Sequence, residues 1–280
     1  MGNHALCIGI NNYPGTHMDL SGCVNDANDW AAELDGRGFR VTRLTNAQAT
    51  KAAMVKGFRS VIGGAAGGDV VVITFSGHGT YVPDRDGDEV DGLDEALCPY
   101  DLQTRGSALL DDEIHDLFNA RKPGVRLVLI SDSCHSGTVT RAAAPDPDAD
   151  DAPRPRFMPM GNWLPPEQLP KGPGGKPATT VAVTHPASAF RKGLSRKAGD
   201  LLLSGCREGP NNFSYDARIR GRPNGAFTYY ALNALKHLEP GASYAEWHAA
   251  ITPAYLPSAS YPQTPQLVGS AAARKRQVFT

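Results

Sequence analysis

The chain has 280 residues, of which 41% are hydrophobic and 20% are charged, a balance typical of a folded globular protein. Its formal net charge of −1 excludes the strong positive field that binding to nucleic acid or to anionic membranes requires. No apolar run approaches the roughly 18 residues of a membrane-spanning helix, and the first residues lack the features of a signal peptide. The 5 cysteines, an odd count without paired spacing, argue against a disulfide framework, so we expect a cytoplasmic protein.

The first eighty residues alternate between strand and helix patterns. Residues 5–10 and 39–44 are short apolar segments typical of buried strands. Apolar residues at helical spacing predict a helix between them, and Thr50 is suited to cap a second helix that ends near Ile62. A third strand at residues 70–79 completes a βαβαβ order. This order predicts a mainly parallel sheet with helices on both faces.

An acidic segment follows the third strand, with seven acids between residues 84 and 95. Four of them match positions one, three, five and twelve of an EF-hand calcium loop: Asp84, Asp86, Asp88 and Glu95. Glu89 stands where the sharp turn of that loop needs glycine. The segment therefore favours a hairpin or loop that is solvated by its charges.

The second half of the chain predicts further elements of the same α/β type. A helix begins at Asp111 or Asp112 and leads, through Pro123 and Gly124, into a strand at residues 127–137. The later elements are a strand at 200–206, a helix at 226–238 and a helix capped by Ser243. Residues from about 138 to 196 are rich in proline, glycine and aspartate, which predicts a mobile insertion within one domain spanning 1–280.

Two of the predicted strands end in residues suited to catalysis. The segment VVVITFSGHG ends with His78 and Gly79, and the segment LVLISDSCHSG contains Cys134. Because the carboxyl ends of neighbouring parallel strands meet at one sheet edge, we expect the imidazole and the thiol to meet there. This pair is the minimum for a thiolate nucleophile with a general base. His135 is expected to face away from Cys134 and to be structural.

These motifs resemble the caspase-like cysteine peptidases, and within them the metacaspases and their prokaryotic relatives, the orthocaspases. The resemblance covers most of the chain through SGHG, DSCHSG, GCVNDA near the start, and SGC with a later GAFTYYAL. It implies a caspase-like α/β fold, in which a mainly parallel central sheet is flanked by helices on both faces in three αβα layers. It also implies a cysteine endopeptidase with His78 and Cys134 as its catalytic dyad.

The resemblance assigns further roles in substrate binding. The backbone N–H groups of Gly79 and Cys134 are implied to form the oxyanion hole. The S1 pocket, which takes the side chain before the cleaved bond, is implied to be lined by Asp26, Asp132, Ser76 and Cys23. Two carboxylates in one pocket repel each other unless a cation lies between them, so we expect cleavage after Arg or Lys. An alternative role for Asp26 is to stabilise the start of its helix.

The resemblance implies calcium as an activator. The cysteine–histidine chemistry itself requires no cofactor. The resemblance also implies ligand roles for Asp94, Asp111 and Asp112. Family members commonly have a further aspartate where this chain has Arg141, and a cation there would oppose a divalent ion. Asp111 and Asp112 are alternatively acids at the start of a helix.

Three functions fit this sequence. The leading one is an endopeptidase for Arg and Lys sites, and the second is a signal-gated bacterial defence or cell-death effector protease. The third is a catalytically silent caspase-like regulatory module, which the intact pair of His78 and Cys134 argues against. The expected partners are protein or peptide substrates with a basic residue before the cleaved bond, and an activating ligand or partner protein. Nucleic acid and membranes are not expected.

The insertion is itself a candidate substrate, because it follows the nucleophile directly and an unpacked chain is easily cleaved. Its basic residues are Arg141, Arg154, Arg156, Lys171, Lys176, Arg191, Lys192, Arg196 and Lys197. The densest cluster predicts self-cleavage at Arg191, Lys192, Arg196 or Lys197, after which the shared sheet would hold the fragments together. The alternative is a passive surface loop.

Overall fold

A computed structural model describes residues 2–83, 93–105, 107–134, 152–170, 200–207 and 212–280. The strands are β1 (His4–Gly9), β2 (Arg40–Thr45), β3 (Val70–Ser76), β4 (Gly79–Pro83), β5 (Leu93–Leu97), β6 (Leu109–Leu110), β7 (Arg126–Asp132), β8 (Arg154–Pro155), β9 (Leu201–Ser204), β10 (Tyr215–Ile219), β11 (Arg222–Gly225) and β12 (Gln266–Gly269). The helices are α1 (Cys23–Gly36), α2 (Lys51–Gly64), α3 (Leu102–Arg105), α4 (Asp111–Asn119), α5 (Ala226–Leu235), α6 (Tyr244–Ile251) and α7 (Ala271–Arg274).

Six strands form the central sheet, in the spatial order β12-β9-β7-β3-β1-β2. Every neighbouring pair is parallel except β12 with β9. All seven residues of β3 are buried, as expected for a strand covered on both faces. The prediction of a mainly parallel sheet is therefore confirmed.

Helices cover both faces of the sheet, because side chains alternate along each strand. On β1, Leu6 and Ile8 face a core that includes residues of α2 and α4. Ala5 and Cys7 face the opposite core, which includes residues of α1, α5 and α6. This arrangement confirms the three-layer αβα architecture. Within the described ranges, no helix is long and apolar enough to cross a membrane.

Two small antiparallel sheets flank the carboxyl edge of the central sheet. In one, β4 pairs with β5 and β5 with β6, so antiparallel strands lie on both sides of the acidic segment, for which a hairpin or loop is predicted. Residues 84–92, which carry most of the EF-hand match, lie outside the described residues. In the other, β10 pairs with β11 and β8, and its turn has positive φ at Arg220 and Gly221, as a type I′ hairpin needs.

Part of the insertion that is predicted to be mobile, residues 152–170, is packed in the structure, and for the rest mobility stays a prediction. Residues 152–170 are described, and five of their apolar side chains are buried: Phe157, Met158, Met160, Trp163 and Leu164. The Phe157 ring stacks on Tyr81 of β4 at a centroid distance of 5.6 Å. Apolar residues spaced between prolines thus pack in a segment whose regular structure is limited to β8 and two single 3₁₀ turns. The flanking residues 135–151 and 171–199 lie outside the described part of the chain.

Candidate active site

His78 lies between the end of β3 and the start of β4, at the carboxyl edge of the central sheet. Its backbone N–H donates to the Tyr13 hydroxyl at 2.8 Å, and its Nε2 lies 2.6 Å from the carbonyl oxygen of Met18. Because a carbonyl oxygen only accepts, this contact places the ring proton on Nε2. The Nδ1 atom is buried and has no hydrogen-bond partner among the described residues. Nδ1 is therefore the atom available to accept a proton.

Burial lowers the pKa of His78 to about 4, against the smaller opposing effect of the Met18 carbonyl. The ring is consequently neutral at pH 7, which is the form a general base needs.

This shift predicts a pH dependence of stability. Between pH 6.5 and 4 the unfolded chain protonates His78 and the folded chain does not, so the folded state loses stability as the pH falls. The full effect is about 3 kcal/mol for a shift of this size. We expect the unfolding free energy of Cys134→Ala to fall by that much more than that of Cys134→Ala/His78→Asn in urea titrations at pH 7 and pH 4. Parallel pH profiles for the two variants would contradict the buried neutral ring.

Cys134 lies two residues beyond β7, and its side chain is buried. Its Sγ accepts a hydrogen bond from the backbone N–H of Ser214 and lies 3.5 Å from the Sγ of Cys206. Burial, with a contribution from Cys206, raises the pKa of the Cys134 thiol. The thiol is therefore protonated in this state, and a base must remove its proton before it can attack. The pairing of Ser76 in β3 with Asp132 in β7 brings the two strand ends to one edge, as predicted.

One backbone carbonyl joins the two halves of the site. The oxygen of Arg156 accepts hydrogen bonds from the N–H of Gly79 at 3.0 Å and from the N–H of Cys134 at 3.1 Å. These are the two donors assigned to the oxyanion hole. In the structure, both N–H groups therefore donate to the same carbonyl oxygen, which belongs to this chain.

The side chain of Arg156 fills an acidic pocket beside this carbonyl, and its exposed fraction is 0%. Its Nη2 lies 2.7 Å from Asp26 and 2.9 Å from Asp216, and its Nη1 lies 3.1 Å from Asp132. Two of these carboxylates are the predicted S1 acids. Burial raises the pKa of Asp26 to about 6, and the Arg156 charge opposes that rise.

Backbone and hydroxyl donors orient the two predicted acids. Asp26 accepts from the N–H of Gly225 at 3.0 Å. Asp132 accepts from the N–H of Thr228 at 2.9 Å and from its hydroxyl at 2.7 Å, and from the hydroxyl of Ser214. A Cβ atom at Gly225 would collide with Asp132, so glycine leaves room for the pocket. Each carboxylate is therefore fixed before any substrate arrives.

The third carboxylate comes from the small sheet. Asp216, on β10, accepts from the N–H of Ser21 at 2.8 Å and from the N–H of Gly22 at 2.9 Å. These donors hold one oxygen of the carboxylate beside Arg156 and turn the other towards the start of α1. Asp216 thus links the β10–β11 hairpin to the wall of the pocket.

The other two predicted pocket residues lie close by. Ser76 is the register partner of Asp132 across β3 and β7. Cys23 is the first residue of α1, and burial raises the pKa of its thiol while the charge of Arg156 opposes that rise. Cys23 is therefore within electrostatic reach of the pocket.

The three predicted calcium ligands do not form a metal centre among the described residues. Asp94 and Asp112 line one cavity of about 450 Å³, while Asp111 is buried at the start of α4. Lys51 lines the same cavity, and its ammonium group lies 2.7 Å from Glu113. Within the described ranges, no three His, Cys, Asp or Glu side chains are grouped to hold a metal ion. The role of calcium as an activator stays a prediction.

The comparisons with known proteins identify the family. Residues 3–143, about half of the chain, match the model described as metacaspase, peptidase C14 domain. Metacaspase-1 of Emericella nidulans is 31% identical over 294 residues, which cover 95% of this chain and 70% of that protein. The chain belongs to the metacaspase family. Its peptidase domain is therefore of the cysteine-dependent hydrolase class.

Other metacaspases match over different lengths. Metacaspase-1A of Neurospora crassa is 31% identical over 295 residues, which cover 95% of this chain and 62% of that protein. Metacaspase-1 of Saccharomyces cerevisiae is 40% identical over 146 residues, which cover 48% of this chain and 33% of that protein. The chain thus spans less than two thirds of the length of both. A crystal structure of a Geobacter sulfurreducens protein has a TM-score of 0.72 and 32% identity, and the match covers 100% of this chain and 99% of that one.

Sequence reasoning about this metacaspase misses three residues of the site: Asp216, Ser214 and Arg156. The first two lie in or beside β10, and the alternation in YDARI, followed by a turn at Arg220 and Gly221, could have identified that hairpin. Arg156 appears in the sequence only as one of many bases in an irregular segment. The predicted self-cleavage residues Arg191, Lys192, Arg196 and Lys197 lie outside the described residues, as do His135 and Arg141.

Proposed function

We propose that this chain is a cysteine endopeptidase that cleaves peptide bonds after Arg or Lys. The observation that carries the proposal is Arg156, whose carbonyl oxygen lies on the donors of Gly79 and Cys134 while its side chain lies among carboxylates. A basic side chain and the carbonyl beside it thus occupy the positions that a substrate would take.

Each step of the proposed chemistry uses one of these groups. His78 Nδ1 takes the proton from Cys134, and the thiolate attacks the substrate carbonyl carbon, whose electron pair moves to oxygen. The N–H groups of Gly79 and Cys134 stabilise that oxyanion. The imidazolium then protonates the leaving amine as the C–N bond breaks. Water, deprotonated by the same ring, hydrolyses the thioester, and the thiol is regenerated.

The pocket supports selectivity for cations over anions. Asp26, Asp132 and Asp216 surround a single guanidinium in a site closed to water. An aspartate side chain there would place a fourth carboxylate among three, and leaving a buried charge without a counter-charge costs several kcal/mol. An arginine or lysine side chain of the substrate instead supplies a positive charge that pairs with these carboxylates.

The chemical steps call for no cofactor, because the side chains supply nucleophile, base and acid, and the backbone supplies the oxyanion donors. Calcium would act, if at all, on activation. We also place the protein in the cytoplasm, since reduced surroundings suit its free cysteines. Its partners are protein or peptide substrates with a basic residue before the cleaved bond, and an activating ligand or partner protein, with no nucleic acid and no membrane.

A panel of fluorogenic peptides that differ only in the residue before the cleaved bond tests the proposal. We expect kcat/KM for Arg and Lys peptides to exceed that for Asp peptides by about three orders of magnitude, because one unpaired buried charge costs about 3–5 kcal/mol. Each peptide is assayed with calcium and with EDTA, and Cys134→Ala is the blank. A preference for Asp peptides, or equal turnover by the blank, would contradict the proposal.

An alternative function, that of a signal-gated defence or cell-death effector protease, uses the same chemistry but requires an activating signal. The closed pocket favours a latent state of this kind, since Arg156 already occupies it. A silent regulatory module is not favoured, because the chain keeps both His78 and Cys134, and the N–H groups of Gly79 and Cys134 bind one carbonyl oxygen.

A further inference from the structure

We propose that Tyr13, in the loop between β1 and α1, is a positioning residue that fixes the place and the tautomer of His78. Tyr13 acts through the imidazole, together with the backbone carbonyl of Met18 from the same loop. The inference rests on the proposed function, in which His78 is the base. It extends the machinery of the site beyond the two residues that the strand ends supply.

Tyr13 holds His78 at two places. Its hydroxyl oxygen accepts a hydrogen bond from the backbone N–H of His78 at 2.8 Å. Its ring lies beside the imidazole, with 4.9 Å between the ring centroids and 53° between the ring planes. Tyr13 is buried, so water does not compete for this hydrogen bond. One side chain thus fixes the backbone of His78 and one side of its ring.

The hydrogen bond lies where the chain passes from one sheet to another. Residues 77 and 78 connect β3 to β4, so the N–H of His78 belongs to neither of these strands. The carbonyl of His78 accepts from the N–H of Cys98 at 3.0 Å, and its N–H donates to Tyr13. A buried N–H group without an acceptor is costly. The Tyr13 hydroxyl therefore does for His78 what a neighbouring strand does for residues within a sheet.

Gly77 leaves room for this hydroxyl. A Cβ atom at Gly77 would lie 2.5 Å from the hydroxyl oxygen of Tyr13 and 2.9 Å from the ring of Phe75. Gly77 does not have a positive φ, so close packing and not left-handed backbone geometry explains the glycine. The glycine before His78 in the segment SGHG thus fits the approach of the Tyr13 hydroxyl to the backbone.

The same loop supplies the contact to the edge of the imidazole, where the Met18 carbonyl lies 2.6 Å from Nε2 of His78. Thr16 joins the two parts of the loop: its hydroxyl donates to the Tyr13 carbonyl at 2.7 Å and accepts from the Met18 N–H at 3.2 Å. Asp19 accepts from the N–H of Tyr13 at 2.7 Å. Tyr13 and Met18 therefore form one connected unit that holds the backbone and the ring of His78 together.

This unit affects the chemistry through the position of Nδ1. The carbonyl acceptor keeps the ring proton on Nε2 and leaves Nδ1 to act as the base. Because burial raises the pKa of the Cys134 thiol, the reaction depends on His78 to take the thiol proton. A displacement of about 1 Å in such a pair can slow a reaction by about a hundredfold. The acidic pocket is formed by other residues, so the loss should fall on kcat and not on KM.

Tyr244 offers a comparison that separates positioning from stability. Its hydroxyl also accepts from a buried backbone N–H, that of Phe279, at 3.0 Å. Tyr244 is buried as well, but in the core on the opposite face of the central sheet from Tyr13. Removing either hydroxyl leaves one buried N–H group without its acceptor, so the two changes should cost similar stability. Only the change at Tyr13 should affect His78.

Steady-state kinetics of wild type, Tyr13→Phe and Tyr244→Phe on one Arg peptide test the proposal. We expect Tyr13→Phe to lower kcat by about tenfold to a hundredfold and to keep KM within about twofold. Tyr244→Phe should keep both constants within about twofold, at a similar loss of unfolding free energy in urea. Thr16→Val, which removes the hydroxyl between Tyr13 and Met18, should also lower kcat. Equal kinetics for the two Tyr→Phe variants, or a change in KM alone, would overturn the proposal.

Proton NMR of Cys134→Ala locates the base without relying on catalysis. A buried Nε2–H bonded to the Met18 carbonyl should give a slowly exchanging downfield resonance, identified by its loss in Cys134→Ala/His78→Asn. Adding Tyr13→Phe to Cys134→Ala should broaden or remove this resonance, and adding Tyr244→Phe should leave it unchanged. A Cys134→Ala protein without the resonance would contradict the Nε2 proton on which the proposal depends.

The two measurements distinguish this proposal from the proposed function. If the resonance responds to Tyr13→Phe as expected but wild type hydrolyses no basic peptide, the proposed function fails and the positioning of His78 by Tyr13 stands. If wild type hydrolyses Arg peptides, and Tyr13→Phe changes neither kcat nor the resonance, the positioning role is wrong and the proposed function stands.

Discussion

Cys134→Ala is expected to lower kcat/KM for Arg peptides by about four orders of magnitude or more, since it removes the sulfur that we propose attacks the substrate carbonyl carbon. His78→Ala should cost a similar factor, because burial keeps Cys134 protonated and the base we propose for it is His78. The double variant should be little worse than either single one, because the two residues act as one unit.

The control for these variants is Cys7→Ala. Cys7 is also a fully buried thiol, but it lies in β1 and faces the core on the side of α1. We expect this variant to lose some stability and to keep its activity within about threefold once it is folded. Circular dichroism and thermal unfolding establish that each variant is folded. Turnover near the wild-type level by folded Cys134→Ala or His78→Ala would remove the dyad assignment.

Asp132→Asn and Asp26→Asn are each expected to lower kcat/KM for Arg and Lys peptides by about a hundredfold or more. Each change removes one charge that faces the guanidinium at about 3 Å, and breaking a buried charge pair costs about 3–5 kcal/mol. Asparagine keeps the shape of the side chain and an oxygen that can accept from Thr228 or Gly225. The loss should therefore appear in substrate binding before it appears in the fold.

Asp29→Asn is the matched control, because Asp29 lies one turn beyond Asp26 on α1 and pairs with Arg222 at the surface. An exposed pair contributes about 1 kcal/mol or less, so this variant should keep the wild-type preference. The measurement is the ratio of kcat/KM for Arg and Gln peptides in all three variants. An unchanged ratio in folded Asp26→Asn and Asp132→Asn would show that another feature sets specificity.

The strands and helices of the central layers can be predicted from the sequence, because the residues that define each element lie within it or next to it. Thr50 precedes α2 and accepts from the N–H of Ala53, and Ser243 caps α6 in the same way, so both helix starts are predictable. His78 and Cys134 are predictable because each closes an apolar strand. Predicting a strand end of this kind requires no knowledge of distant parts of the chain.

The remaining parts of the site depend on distant contacts. Asp216 reaches the pocket only because β10 docks beside the start of α1, where it meets the N–H groups of Ser21 and Gly22, 194 or more residues away in sequence. The packing of Arg156 depends on three carboxylates from three separate elements. Local composition around Arg156 predicts an unpacked chain, because the residues that pack against it come from elements far away in the sequence.

The central sheet is shared across the irregular segment that contains Arg156. β1, β2, β3 and β7 precede that segment, β9 and β12 follow it, and β7 pairs directly with β9. In the intact chain, folding is a one-molecule reaction whose equilibrium does not depend on concentration. A protein cut in this segment would hold two polypeptides together through one sheet, so opening that sheet at high dilution would let them diffuse apart and make reassembly second order. Such a cut would thus limit the lifetime of the folded protein, because a chain that has once been cut cannot easily refold alone.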